Sequence, residues 1–91
     1  MEMKTKTETF MAITKMMADI YERKNADYGD SFHALFEKYG MTYALAHLEE
    51  KLNRINAITK NGDSKVKNEG VLDSLLDMAN YAILTYMEID E

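Results

Sequence analysis

The chain has 91 residues, enough for one domain with a modest core. Its 46% hydrophobic and 30% charged residues exclude a mainly disordered chain. The absence of cysteine excludes disulfides and thiolate metal sites, and the net charge of −5 argues against a duplex-DNA partner.

The first predicted helix covers about residues 7–24. Thr5 and Glu8 fit a capping box at its start, in which each side chain accepts a bond from the backbone N–H of the other residue. Its apolar residues recur at steps of three or four, namely Phe10, Ile13, Met17 and Ile20. The cluster of Asn, Asp and Gly in KNADYGDSF is expected to end this helix.

A short second helix, FHALFEKY, follows that turn. It can begin after Asp30 or Ser31 and end before Gly40, which suits a left-handed cap because it has no Cβ. Its histidine, His33, and His47 further along the chain lack a matching ligand pair. We therefore expect both histidines at the surface or at the edge of the core.

The third predicted helix begins after Thr42 and runs to about Lys60. Its apolar stripe is close to a heptad pattern and consists of Leu45, Leu48, Leu52, Ile55 and Thr59. Gly62, in the polar segment KNGDSKVKN, is expected to close the helix, and this segment is the one flexible loop that we predict.

The fourth predicted helix has the sequence EGVLDSLLDMANYAILTYME, with Asn68 as its N-cap. From Gly70 through Met87 it contains no Lys, Arg or Glu. One broad face collects Leu72, Leu75, Ala79, Ala82, Ile83 and Tyr86. Other apolar residues extend around most of its girth, so we expect burial on several sides, in part by another copy in a homo-oligomer.

The chain has no proline and only four glycines, so long helices joined by short turns are possible. We predict an all-α fold, a small antiparallel helical bundle of three long helices plus one short helix, in a single domain over residues 1–91. No segment has the apolar length of a signal peptide core or a membrane span, so we expect a cytoplasmic protein with no membrane partner.

Acidic residues of the fourth helix are possible partners for the cations of the third helix. Glu69, Asp73 and Asp77 are spaced by four, and Lys51 and Arg54 by three. Two interpretations stay open. Asp73 and Asp77 can form structural ion pairs with Lys51 and Arg54, or the acids can hold a divalent cation while the cations hold a phosphate.

The segment RKNADYGDSF forms a second group of candidate residues. It places Lys24, Asp27, Tyr28 and Asp30 around one turn. These residues can simply satisfy turn geometry, with Tyr28 as a half-buried anchor. Alternatively, Tyr28 or Phe32 can stack on a nucleotide base while Lys24 lies near its phosphate.

Three blocks in the order DYGDSF, KLNRI and NEGVLDSLLDMANYAIL resemble the nucleotide modification associated domain 1 family of bacteria and their phages. The resemblance runs from about Tyr21 to Leu84. It implies a compact all-α domain associated with nucleotide or modified-base metabolism, without an assigned reaction.

The chain is also similar, more loosely, to the all-α nucleoside triphosphate pyrophosphohydrolases (MazG-like), which bind magnesium through two acidic pairs on neighbouring helices. Glu69, Asp73 and Asp77 approximate the second pair at a spacing of four. The first pair is incomplete, because Glu49 and Glu50 are followed by cations instead of a second acid. A magnesium-dependent nucleotide pyrophosphohydrolase using Glu50, Glu69, Asp73 and Asp77 is therefore one alternative function.

The leading hypothesis is a small phage-type protein that binds a nucleotide or nucleotide-derived ligand, for nucleotide modification or for sequestration. Lys51 and Arg54 would contact phosphate, Tyr28 would contact the base, and Asp73 and Asp77 would orient the cations or a Mg²⁺ ion. A third hypothesis is a helical adaptor whose apolar last helix binds another protein.

Overall fold

A computed structural model describes residues 4–28, 30–61 and 64–90, and only the backbone of residues 26–28 and 64–68. The chain forms four helices, α1 (Lys6–Tyr28), α2 (Ser31–Tyr39), α3 (Met41–Asn61) and α4 (Ser64–Ile89). No strand occurs in the described ranges, which confirms the all-α prediction. The helices fall into two compact units, Met1–Ser31 and Phe32–Glu91.

The first unit is built on α1, which begins with the predicted capping box. The backbone N–H of Thr5 donates to Glu8 Oε1 at 2.9 Å, and that of Glu8 donates to Thr5 Oγ1 at 3.1 Å. Hydrogen bonding of the Glu8 carboxylate to Thr5, first by the Thr5 backbone N–H and then by its hydroxyl, lowers the pKa of the Glu8 carboxyl. The helix continues to Tyr28, four residues beyond the predicted end at Lys24, because Asn and Asp disfavour a helix only weakly and no glycine precedes position 29.

In the second unit, Gly40 separates α2 from α3 as predicted. Its φ of 68° lies in the left-handed region, where a residue without a Cβ is not strained. Its N–H donates to the carbonyl of Phe36 at 2.6 Å, which closes α2. Its own carbonyl accepts from the N–H of Tyr43 at 3.1 Å, so α3 starts immediately afterwards.

The helices α3 and α4 pack against each other in antiparallel directions. Three contacts follow one another along the pair, Ile58 with Gly70, Lys51 with Asp77, and His47 with Tyr81. Contacts nearer the start of α3 thus involve residues nearer the end of α4. The short connection between the two helices requires this direction.

The predicted start of α4 is wrong. The helix begins at Ser64, so the proposed N-cap Asn68 lies inside it, and most of the predicted flexible loop is helical. Residues 64–69 include no proline or glycine, and nothing in them stops a helix. The predicted closing residue of α3, Gly62, lies outside the described residues.

The side of α4 that contacts α3 carries small and polar residues. Ser74 is fully buried, Thr85 is buried, and a Cβ added to Gly70 would stand 2.8 Å from Ile58 Cδ1. The small residues allow a close approach of the two helices. The predicted apolar stripes are therefore only partly buried, since Leu45 and Leu52 of α3 are exposed.

The broad apolar face predicted for α4 also points away from α3. Its large members are exposed, namely Leu72, Leu75, Ile83 and Tyr86. Within the described part of the chain, no helix has the length and apolar character needed to cross a membrane.

Candidate functional site

An ion pair between α3 and α4 lies at the middle of the helix pair. Lys51 Nζ is 3.1 Å from Asp77 Oδ2 and 3.9 Å from Glu50 Oε1. The Lys51 side chain is only 15% exposed, while that of Asp77 is 50% exposed. The ammonium group is therefore held between two carboxylates, and one of the two predicted ion pairs is present.

The second predicted ion pair is not formed. Asp73 and Arg54 are both exposed, and among the described residues neither takes part in an ion pair. Arg54 follows Lys51 by three residues, so the two cations share one side of α3. We call Glu50, Lys51, Arg54, Asp73 and Asp77 the polar flank. Within the polar flank, Arg54 is the cation that is exposed.

A cluster of aromatic rings adjoins the polar flank. His47 stacks on Tyr81 at 4.2 Å between ring centroids and 16° between planes. Tyr43 meets His47 edge-on at 4.6 Å, and Phe32 lies 5.3 Å from Tyr43 and 6.1 Å from Tyr81. Phe32, one of two residues considered for base stacking, is thus buried in the cluster.

Burial raises the pKa of the Tyr81 hydroxyl, while the nearby positive charge of Lys51 opposes this shift. His47 comes four residues before Lys51, and Tyr81 four residues after Asp77. Tyr81 and His47 are not among the predicted site residues, although the helical spacing of His47, Lys51 and Arg54 predicts one shared flank on the third helix. The shared spacing of four on facing helices is the signal that could have identified them.

His33 connects α2 to α4. Its Nδ1 lies 2.7 Å from Glu88 Oε1, and its Nε2 lies 2.7 Å from Glu37 Oε1. Ionised carboxylates only accept hydrogen bonds, so this arrangement suits a ring that is protonated on both nitrogens. The half-buried position of His33 agrees with the prediction that it lies at the surface or at the edge of the core. Its contact with Glu88 links α2 to α4.

The remaining predicted site residues lie in different parts of the chain. Lys24 is exposed on α1, and the side chains of Asp27 and Tyr28 lie outside the described residues. Glu69 is exposed on α4. That the α1 residues join Lys51 and Arg54 in one ligand site stays a prediction.

The proposed magnesium ligands, Glu69, Asp73 and Asp77, follow one another along α4 at steps of four. In the part of the chain that the structure describes, no group of three or more His, Asp or Glu side chains could hold a metal ion. Asp77 instead binds Lys51. Their role as metal ligands stays a prediction.

A family model described as nucleotide modification associated domain 1 matches residues 24–89. This range includes the polar flank, the aromatic cluster and the His33 bridge. A search of curated proteins and a search of solved structures returned no match.

Proposed function

The chain belongs to the nucleotide modification associated domain 1 family, and on this premise we propose that it binds a nucleotide or nucleotide-derived ligand. The binding would serve nucleotide modification or would sequester the ligand. One observation carries the proposal, namely the exposed Arg54 beside the largely buried Lys51 on one side of α3. A phosphate is the ligand group that such a pair of cations suits best.

The two cations have different tasks in this proposal. Lys51 is fixed by Asp77 and Glu50, whose carboxylates balance its charge, and it would supply N–H donors to the phosphate from a position that is largely shielded from water. Arg54 keeps its five N–H donors available, because no described carboxylate pairs with it. A guanidinium can bind two phosphate oxygens at once, which fixes the orientation of the ligand.

The base of the ligand would be contacted by Tyr28, with Lys24 and Asp27 nearby in sequence. A tyrosine ring binds any base face by stacking, so this contact gives affinity without selecting one base. The proposed setting is a single cytoplasmic domain of phage type, an antiparallel bundle of three long helices plus one short helix. Mg²⁺ bound by Glu69, Asp73 and Asp77 would be an accessory to phosphate binding.

A magnesium-dependent pyrophosphohydrolase is the second candidate function. Two of its carboxylates, Glu50 and Asp77, converge on one point at Lys51 Nζ. An ammonium group at that point neutralises the acids that would otherwise hold a divalent cation. It cannot lower the pKa of a bound water as a metal ion does, so the geometry favours binding over hydrolysis.

Native mass spectrometry of the purified protein tests the proposal first, by identifying small molecules that stay bound. Calorimetry with ribo- and deoxynucleoside triphosphates, with and without Mg²⁺, then measures affinity. The matched nucleosides, which lack phosphate, are the control and should not bind. Binding without pyrophosphate release supports the proposal, and Mg²⁺-dependent release supports the second candidate. If no nucleotide is retained or bound, the proposal is wrong and an adaptor role gains support.

A further inference from the structure

Nine large apolar side chains are exposed on the described parts of α3 and α4. We call six of them the apolar face, namely Leu45 and Leu52 of α3 with Leu72, Leu75, Ile83 and Tyr86 of α4. Each is between 48% and 69% exposed. Single exposed apolar residues are ordinary on a protein surface, but the four on α4 lie within about 80° of one another around the helix, and a group of this size is typical of a site of association.

Helix geometry places the apolar face away from the polar flank. At about 100° per residue, Leu75 lies roughly 160° around α4 from Asp77, and Leu52 lies roughly 160° around α3 from Arg54. The Lys51–Asp77 ion pair brings the polar sides of both helices together. A ligand at Arg54 and a partner on the apolar face therefore approach the helix pair from different sides.

The size of the apolar face is in the range that a stable interface needs. Six side chains of this size, each about half exposed, present on the order of 600 Å². A standard interface buries about 800 Å² on each partner, and exposed residues next to the six, such as Met87 and Ile89, would supply the rest.

The charge pattern selects the kind of partner. In a twofold contact, each residue near the axis meets residues of the same patch, so a charge there would face a like charge. The α4 segment from Gly70 through Met87 has no Lys, Arg or Glu, and its Asp77 lies about 120–180° around the helix from the apolar face, whereas Asp73 lies about 80–100° from Ile83 and Leu72, at the edge of that face. We infer that the apolar face binds the same face of a second copy of this chain around a twofold axis.

In this arrangement, the α3–α4 pairs of two chains form a four-helix core across the axis. The interface buries the side of α4 that a single chain leaves exposed. Leu84, which follows Ile83, is only partly exposed and lies outside the apolar face. Its substitution is therefore a weaker test of the interface than a substitution of Ile83.

Light scattering after size-exclusion chromatography tests this inference on the full chain. The wild type is expected at about 21 kDa, twice the 10.5 kDa chain, at micromolar concentration. Ile83→Glu and Leu52→Glu should each raise the dimer dissociation constant at least about 100-fold, since each buries a charge. Asn53→Glu is the matched control, because it adds the same charge to an exposed position of α3 outside the apolar face.

Cross-linking gives a second test that does not depend on a disruptive charge. The chain has no cysteine, so Ile83→Cys and Asn53→Cys each carry one thiol. A short bismaleimide should yield a cross-linked dimer with Ile83→Cys and little with Asn53→Cys. A monomeric wild type at 100 µM, a dimeric Ile83→Glu variant, or equal cross-linking of both cysteine variants would overturn the inference.

Discussion

Lys51 of α3 binds Asp77 of α4 with 3.1 Å between Nζ and Oδ2, at the point where the polar flank meets the aromatic cluster. The contact pairs a nearly buried cation with a half-exposed carboxylate. Its strength therefore lies between that of a surface ion pair and that of a fully buried one.

Asp77→Asn is expected to lower the free energy of unfolding by about 1–2 kcal/mol, because Lys51 loses its closest counter-charge. Denaturant titration measures this change. Asp73→Asn is the matched control on the same helix and should cost less than about 0.5 kcal/mol, since Asp73 is exposed and forms no ion pair among the described residues.

Asp77→Asn, compared with the wild type, also tests for magnesium binding. If Asp77 binds Mg²⁺, the ion should raise the melting temperature of the wild type and not that of Asp77→Asn. Equal responses of the two proteins would count against a metal role for this residue.

The two carboxylates that contact His33 should differ in their effect on stability. The Glu88 side chain is 15% exposed and ties α4 to α2, whereas the Glu37 side chain is 67% exposed and lies on α2 itself. Glu88→Gln should cost about 1–2 kcal/mol of unfolding free energy, and Glu37→Gln less than about 0.5 kcal/mol. Thermal unfolding followed by circular dichroism compares them, and equal losses would contradict this account of the bridge.

Ser74 offers a substitution that stabilises the protein. Its hydroxyl is fully buried and has no hydrogen-bond partner in the described structure, which is unfavourable by roughly 1–3 kcal/mol. Ser74→Ala should raise the free energy of unfolding by about 1 kcal/mol and also improves helix propensity. Thr85→Val is the control, because the Thr85 hydroxyl donates to the Tyr81 carbonyl at 2.7 Å. It should bring no gain, and a destabilised Ser74→Ala variant would show that the hydroxyl is satisfied.

Local rules predicted much of this fold. The capping box of Thr5 and Glu8 and the left-handed cap at Gly40 depend on residues within four positions of each other, so their sequence patterns carried the information. The all-α class followed from helical spacing and the absence of proline. Each of these features depends on residues that are close together in the sequence and does not require packing between distant parts of the chain.

The orientation of α4 could not be predicted, for a physical reason. Apolar residues surround most of this helix, so hydrophobic periodicity does not select one buried side. The side of α4 that faces α3 is instead the side that carries Gly70 and Ser74, because their small size lets α3 approach closely. Helix spacing also predicted the cations and acids of the polar flank, but only the packing decided that Lys51 pairs with Asp77 while Arg54 stays exposed.

Tyr81 should make stability depend on alkaline pH. Burial raises its pKa above the ordinary value of 10.0, so above pH 10 the folded state holds a proton that the unfolded state has lost. The free energy of unfolding should then fall as pH rises from 10 through the raised pKa. Denaturant titrations at pH 9, 10 and 11 measure the slope, and Tyr81→Phe, which keeps the ring, should show a shallower one. Identical slopes would contradict the shift.

The exposed Arg54 gives the most direct test of function. If its guanidinium binds phosphate, Arg54→Ala removes a charge-assisted contact of about 1.5–3 kcal/mol, which corresponds to a loss of affinity of roughly ten- to 150-fold. Arg54→Lys should lose less, because it keeps the charge but not the forked geometry. Calorimetry with the nucleotide that the wild type binds measures both variants.

Lys60→Ala is the matched control for Arg54→Ala, since Lys60 is another exposed cation on α3 and lies nearly two turns beyond Arg54. It should bind the nucleotide as the wild type does. Tyr28→Ala should weaken binding by about 1–3 kcal/mol if the base stacks on its ring. Circular dichroism must show that each variant is folded. If a folded Arg54→Ala protein binds the nucleotide as tightly as the wild type, the phosphate does not bind at Arg54, and the site proposed beside Lys51 is wrong.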